Sequence, residues 1–166
     1  MKIKKEFRLI TYLFAAFLLF SFSNIQAQKI DAKMKPFESV EPKGTQAANT
    51  NFTGTVFVNM IVKPEDGLHS NIGKVTFEPK ARTNWHSHPT GQTLIVTEGI
   101  GYYQEKGKPI QLIQKGDVVK IPPNVVHWHG ASHHSSMTHI AIVSLGEKES
   151  AIWLQPVTDE EYNAFI

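Results

Sequence analysis

From Thr55 onward the chain is a succession of short β-branched and aromatic runs, each ended by residues that favour tight turns. The runs are TVFVNMIV, KVTFE, QTLIVTE, GYYQE, IQLI, DVVKIP, VHWHG, THIAIVS and AIWLQP. Runs this short, rich in Val, Ile, Thr and aromatic residues, suit strands rather than helices. Pro64-Glu65-Asp66-Gly67, Lys106-Gly107-Lys108 and Lys115-Gly116-Asp117 supply the reversals that antiparallel neighbours need. About nine strands within one domain length predict an all-β sandwich or barrel. Only the end reads as a helix: Thr158 can cap it, Glu161 completes a capping box, and Val157 can staple onto Tyr162.

The amino terminus has a different character. Lys2, Lys4, Lys5 and Arg8 precede an uncharged apolar stretch from Leu9 to Phe22, the pattern of a secretory signal, with cleavage expected after Ala27. Ile25 is larger than the residue usual three positions before such a site, so an uncleaved anchor is the alternative. The expected organisation is a signal peptide over 1–27, an extended arm over 28–51 and the β domain over 52–166. The expected location is periplasmic or extracellular, with no membrane association once the signal is removed.

Residues 1–27 carry four of the 17 basic and one of the 15 acidic side chains, so the remainder is close to neutral. It has no basic stripe to neutralise phosphates, which argues against nucleic acid and for a small-molecule substrate. The chain has no cysteine, so any metal must be held by nitrogen and oxygen ligands. The arm can cover a sheet edge by pairing with a second subunit, and a homodimer is expected.

Side chains alternate across a strand, so His86 and His88 in WHSHP point the same way and can share one ion. Pro89-Thr90-Gly91 can turn the chain so that Gln92 offers its carbonyl oxygen to the same point. His127, after the turn in IPPNVVH, supplies a fourth ligand if a barrel brings its strand alongside, and His129 shares its face. His139 can project inward from THIAIVS with Ala141 and Val143, close to the ion without binding it. His69, His133 and His134 read as solvent-exposed, and Trp85 and Trp128 as packing residues on the face opposite the ligands. Arg82 reads as half of an exposed ion pair, and either Val75 or Thr76 should line the pocket, according to register.

The segment from Asn84 to Gly99 resembles the first cupin motif, with His86, His88, Gln92 and Gly99 at its characteristic positions. Gly116 to His127 resembles the second, with Pro122, Asn124 in the usual glycine position, and His127. This resemblance spans roughly residues 52–155 and implies a single-domain cupin, a jelly-roll-like antiparallel β-barrel. Gln92 stands where most cupins have glutamate, so neutral histidines leave the ligand set without negative charge, and Gln92 cannot take a proton.

Three histidines with glutamine, together with TLIVTEG, IPPNVVHWHGA and MTHIAI, resemble the small cupin hydroxynitrile lyases. That resemblance implies reversible cleavage of aromatic cyanohydrins to aldehyde and cyanide, assisted by one divalent ion. Manganese is the first expectation, with iron, nickel, copper and zinc open. In that chemistry His139 is the expected base and His129 a second proton-handling or orienting group. The alternatives are a metal-dependent cupin dioxygenase acting on phenolic substrates and a non-catalytic cupin that binds a small ligand.

Overall fold

The β-branched runs form strands that are antiparallel throughout. The computed structural model describes residues 39–146 and 150–165, so the signal segment and the first part of the arm lie outside the described residues. From Val40 onward the chain forms one compact unit. The strands are β1 (Thr45–Gln46), β2 (Phe52–Thr53), β3 (Val56–Val62), β4 (Ser70–Phe77), β5 (Arg82–Thr83) and β6 (His86–Ser87). They continue with β7 (Gln92–Glu105), β8 (Gln111–Gln114), β9 (Val118–Ile121), β10 (His127–Ala131), β11 (Met137–Ser144) and β12 (Ile152–Trp153).

The main path runs β1-β3-β4-β11-β7-β10-β5-β2. Its first and last members are consecutive in sequence, and the handful of residues between Gln46 and Phe52 reaches at most ~20 Å. The two ends of the path must therefore approach one another, and the sheet curls into the expected barrel. The arm's own strand, β1, pairs with β3 of the same chain, Thr45 opposite Val58.

Twelve strands among the described residues replace the nine expected: two of the nine runs fuse into one strand, and four two-residue strands, β1, β2, β5 and β6, form outside the runs. QTLIVTE and GYYQE form the single strand β7, whose first half pairs with β9 and β11 and whose second half pairs with β8 and β10. Gly99 lies at the changeover with φ 73°, beside a register shift between Thr138 and His139. A Cβ there would lie 1.9 Å from the Ser136 carbonyl oxygen, so glycine turns the strand from one set of partners to the other without ending it.

Register settles the pocket wall. Val75 lies opposite His139, which lies opposite Val96, so these three share the inner face. Val75 packs against the inner core, whereas the Thr76 hydroxyl meets that of Thr138 at 3.1 Å on the other face. The inner core includes Val56, Phe77, Leu94, Val96, Ile121 and Met137. A second, outer cluster of Trp85, Tyr102, Trp128, Val157 and Tyr162 lies beneath the short helix α1 (Asp159–Asn163). Thr158 caps α1 as expected: its hydroxyl accepts the Glu161 N–H while the Glu161 carboxylate accepts the Thr158 N–H.

Two surface expectations are corrected. Arg82 is only 4% exposed, because the segment leading into α1 folds over it. Its guanidinium donates to the Val157 carbonyl at 3.0 Å and to Asp159 at 2.6 Å, and stacks on the Tyr162 ring. His133 is half-buried against Tyr162, with its two ring nitrogens engaged by the Tyr102 hydroxyl and the Asn163 carbonyl oxygen. His134 is exposed, as expected.

Candidate metal centre

Register brings the two histidine motifs together. His86 on β6 lies directly opposite His127 on β10, and their ring centroids are 4.2 Å apart. His129, two residues further along β10, faces the same side, with its ring 5.4 Å from that of His86. His88 lies just beyond β6, 5.2 Å from His86 and 5.8 Å from His127 between ring centroids. The His88 carbonyl accepts N–H groups from Gly91 and Asn124, which ties the turn of the first motif to the loop of the second. Asn124 has φ 64° there, a conformation that asparagine adopts at lower cost than most side chains. Gln92 opens β7 and aims its Oε1 at His127 Nε2, 3.1 Å away.

Three of the rings are oriented by backbone carbonyls. The Nδ1–H groups of His86, His88 and His127 donate to Asn84 O at 3.0 Å, Ser150 O at 2.5 Å and Val125 O at 2.9 Å. This fixes the tautomer and presents each Nε2 lone pair, the arrangement that orients metal-binding histidines. The Nε2 of His127 then faces the carbonyl oxygen of Gln92, lone pair toward lone pair, an arrangement that a shared cation stabilises. One nitrogen from each of His86, His127 and His129 lies within 4.8 Å of the others, so these three form a group that can hold an ion. His88 and Gln92 border the same group.

Burial keeps the cluster neutral. It holds His86 and His129 well below the ordinary histidine value, lowers His88, and pushes His127 down to about 4 and His139 to about 3. Neighbouring imidazoles add to this effect at His86 and His129. Glu105 lies opposite His127 on β7, but its carboxylate is engaged by Lys108 at 2.6 Å. Neutral imidazoles with free Nε2 atoms are the protonation state that a divalent ion needs.

Of the seven buried side-chain polar atoms without a hydrogen-bond partner among the described residues, five are imidazole nitrogens: His88 Nε2 and both nitrogens of His129 and His139. Such atoms normally find partners, so their concentration here points to a bound species. His139 comes in from β11 with its ring 4.8 Å from His129, and Phe77 touches both rings. The structure thus gathers all six expected residues. Sequence reasoning missed Trp153, which lies opposite His86 on β12 and stacks on it at 4.7 Å. Its local sequence carries no motif, and only strand pairing brings it to the site.

Comparison with known proteins agrees with this geometry. Residues 73–143 match the cupin domain family. The chain is 44% identical over 123 residues to the (R)-mandelonitrile lyase of Granulicella tundricola, covering 72% of this chain and 94% of that protein. It superposes on a cupin-like protein from Thermotoga maritima with a TM-score of 0.71 and 50% identity, over 75% of this chain and 95% of the other. The polyketide cyclase RemF from Streptomyces resistomycificus, 13% identical, shares the fold with a TM-score of 0.60 over 78% of this chain and 90% of its own.

Proposed function

Since this chain belongs to the cupin family, we propose that it is a metal-dependent carbon–carbon lyase that cleaves and forms aromatic cyanohydrins. The observation that carries this reading is a buried imidazole cluster without a carboxylate, in which His129 and, beside it, His139 keep nitrogens that have no partner. The similarity to an (R)-mandelonitrile lyase supplies the substrate class.

In this reading His86, His88, His127 and Gln92 would hold one divalent ion, manganese in the first instance, and His129, whose nitrogen lies within 4.8 Å of those of His86 and His127, would stay free to meet the substrate. Such an ion supplies Lewis acidity, which stabilises negative charge developing on an oxygen or on cyanide. His139, neutral at pH 7, accepts the hydroxyl proton of the cyanohydrin as the carbon–cyanide bond breaks and the carbonyl forms. The bonding electron pair leaves with cyanide, His129 donates a hydrogen bond to it, and the proton held on His139 passes to it as hydrogen cyanide. Burial makes His139 a weak base, so it carries the proton only between hydroxyl and cyanide and returns to the neutral form.

The protein loaded with manganese should release benzaldehyde and cyanide from mandelonitrile in equal amounts without oxygen uptake. His139→Ala should lower kcat by at least ~100-fold with metal content unchanged. Oxygen uptake on phenols without mandelonitrile turnover would replace this reading with an oxygenase. Export through residues 1–27 and assembly as a homodimer belong to the same proposal. The assembly is supported by a partly exposed apolar row of Val118, Ile95 and Ile140, adjacent in register on the outer sheet face.

A further inference from the structure

We propose that Trp153, backed by Phe52, forms an aryl-binding subsite beside the histidine cluster and gives the site its preference for aromatic substrates. Within β12, Trp153 lies opposite His86 and therefore shares the face of the histidine cluster, while its neighbours Ile152 and Leu154 are exposed. Although it faces the cluster, Trp153 is 37% exposed, so part of it reaches solvent. Its ring stacks on His86, with an interplanar angle of 28°. Phe52 meets Trp153 edge-on at 5.8 Å and Phe77 edge-on at 6.2 Å, and Phe77 touches both His129 and His139. An unbroken aromatic wall thus leads from solvent to the two imidazoles without partners.

Among the described residues, no lysine or arginine lies over the rings of Trp153, Phe52 or Phe77, so these rings meet a ligand as apolar aromatic surface. An aromatic ring gains edge-to-face or offset contacts on such a surface that an alkyl group lacks. A substrate whose aryl group rests against Trp153 and Phe52 places its polar carbon inward, toward the histidines. The substrate in this inference rests on the lyase reading, whereas the aryl subsite itself does not.

Two measurements test it. In the metal-loaded enzyme, Trp153→Ala should raise KM for mandelonitrile roughly tenfold and change kcat/KM for acetone cyanohydrin by less than about threefold. Phe52→Leu, which leaves every proposed ligand in place, should move KM in the same direction by a smaller factor, and Trp153→Phe should restore most of the difference. Separately, benzyl alcohol serves as an unreactive aryl probe. Trp85 and Trp128 are buried, so quenching by the probe should report on Trp153 and disappear in Trp153→Phe, while NMR titration of Trp153→Ala should show about tenfold weaker binding. Equal losses for the aryl and alkyl substrates in both Phe52→Leu and Trp153→Ala, or unchanged benzyl alcohol affinity in Trp153→Ala, would overturn the subsite. If neither cyanohydrin is turned over, the lyase reading fails, and the benzyl alcohol titration still decides the subsite.

Discussion

The two aromatic clusters on either side of β10 are built from similar residues and are satisfied very differently. In the outer cluster the Trp85 and Trp128 indole N–H groups donate to Glu161 and Gln104, and the Tyr162 hydroxyl donates to the Ala131 carbonyl. Tyr102 is partnered by His133, and Arg82 beside them is partnered by the backbone and Asp159. In the inner cluster, by contrast, His88, His129, His139 and the Tyr103 hydroxyl all carry buried atoms without a partner. Burying a polar group unsatisfied costs about 1–3 kcal/mol, so the outer cluster holds α1 to the barrel while the inner one sets stability aside for binding. Adjacent residues of one strand, His127 and Trp128, belong to opposite sides of this division.

Substituting these two neighbours should separate the functions most sharply. Trp128→Ala should destabilise the fold by about 3–5 kcal/mol in denaturant titration and leave metal affinity of the folded protein unchanged. His127→Ala should weaken metal binding by more than ~100-fold in a competition titration, with a much smaller change in stability of the metal-free protein. Similar profiles for the two variants would erase the distinction.

Acid should attack the inner cluster through its histidines. In the unfolded chain these groups bind protons below about pH 6.5, whereas folded His127 and His139 do not until about 4 and 3. Their contribution is therefore complete above pH 6.5 and is lost as pH falls toward those values. For metal-free protein the loss should be about 1.4 kcal/mol per such histidine at one pH unit below 6.5, and His139→Phe should flatten the profile by one histidine's share. An unchanged slope in that variant would mean that His139 does not titrate as its burial requires. The smallest effect belongs to the outer rim. Thr158→Ala should cost about 1 kcal/mol by removing the α1 cap, with kcat and metal content unchanged.

Much of this was legible in the chain because local rules govern it. Alternation put His86 with His88 and His127 with His129, and turned Trp85 and Trp128 the other way. The Thr158 capping box read correctly because all its parts lie within four residues. Arg82 was misread because its cover, Val157 and Asp159, comes from the far end of the chain. The unity of β7 was hidden for a related reason: Gly99 looks like a terminator unless β11, which begins just after the Ser136 carbonyl that crowds it and whose Met137 pairs with it, is known to run alongside.

Residue order alone determined the strand-rich class of the fold, the spacing of the ligand candidates and the absence of a carboxylate among them, since each depends on identity and short-range periodicity. Tertiary structure alone decided that His129 joins His86 and His127, that Val75 rather than Thr76 lines the wall, that Trp153 stands over His86, and which nitrogens are left without partners. These outcomes depend on register between strands far apart in sequence and on burial from every side, which no local pattern encodes.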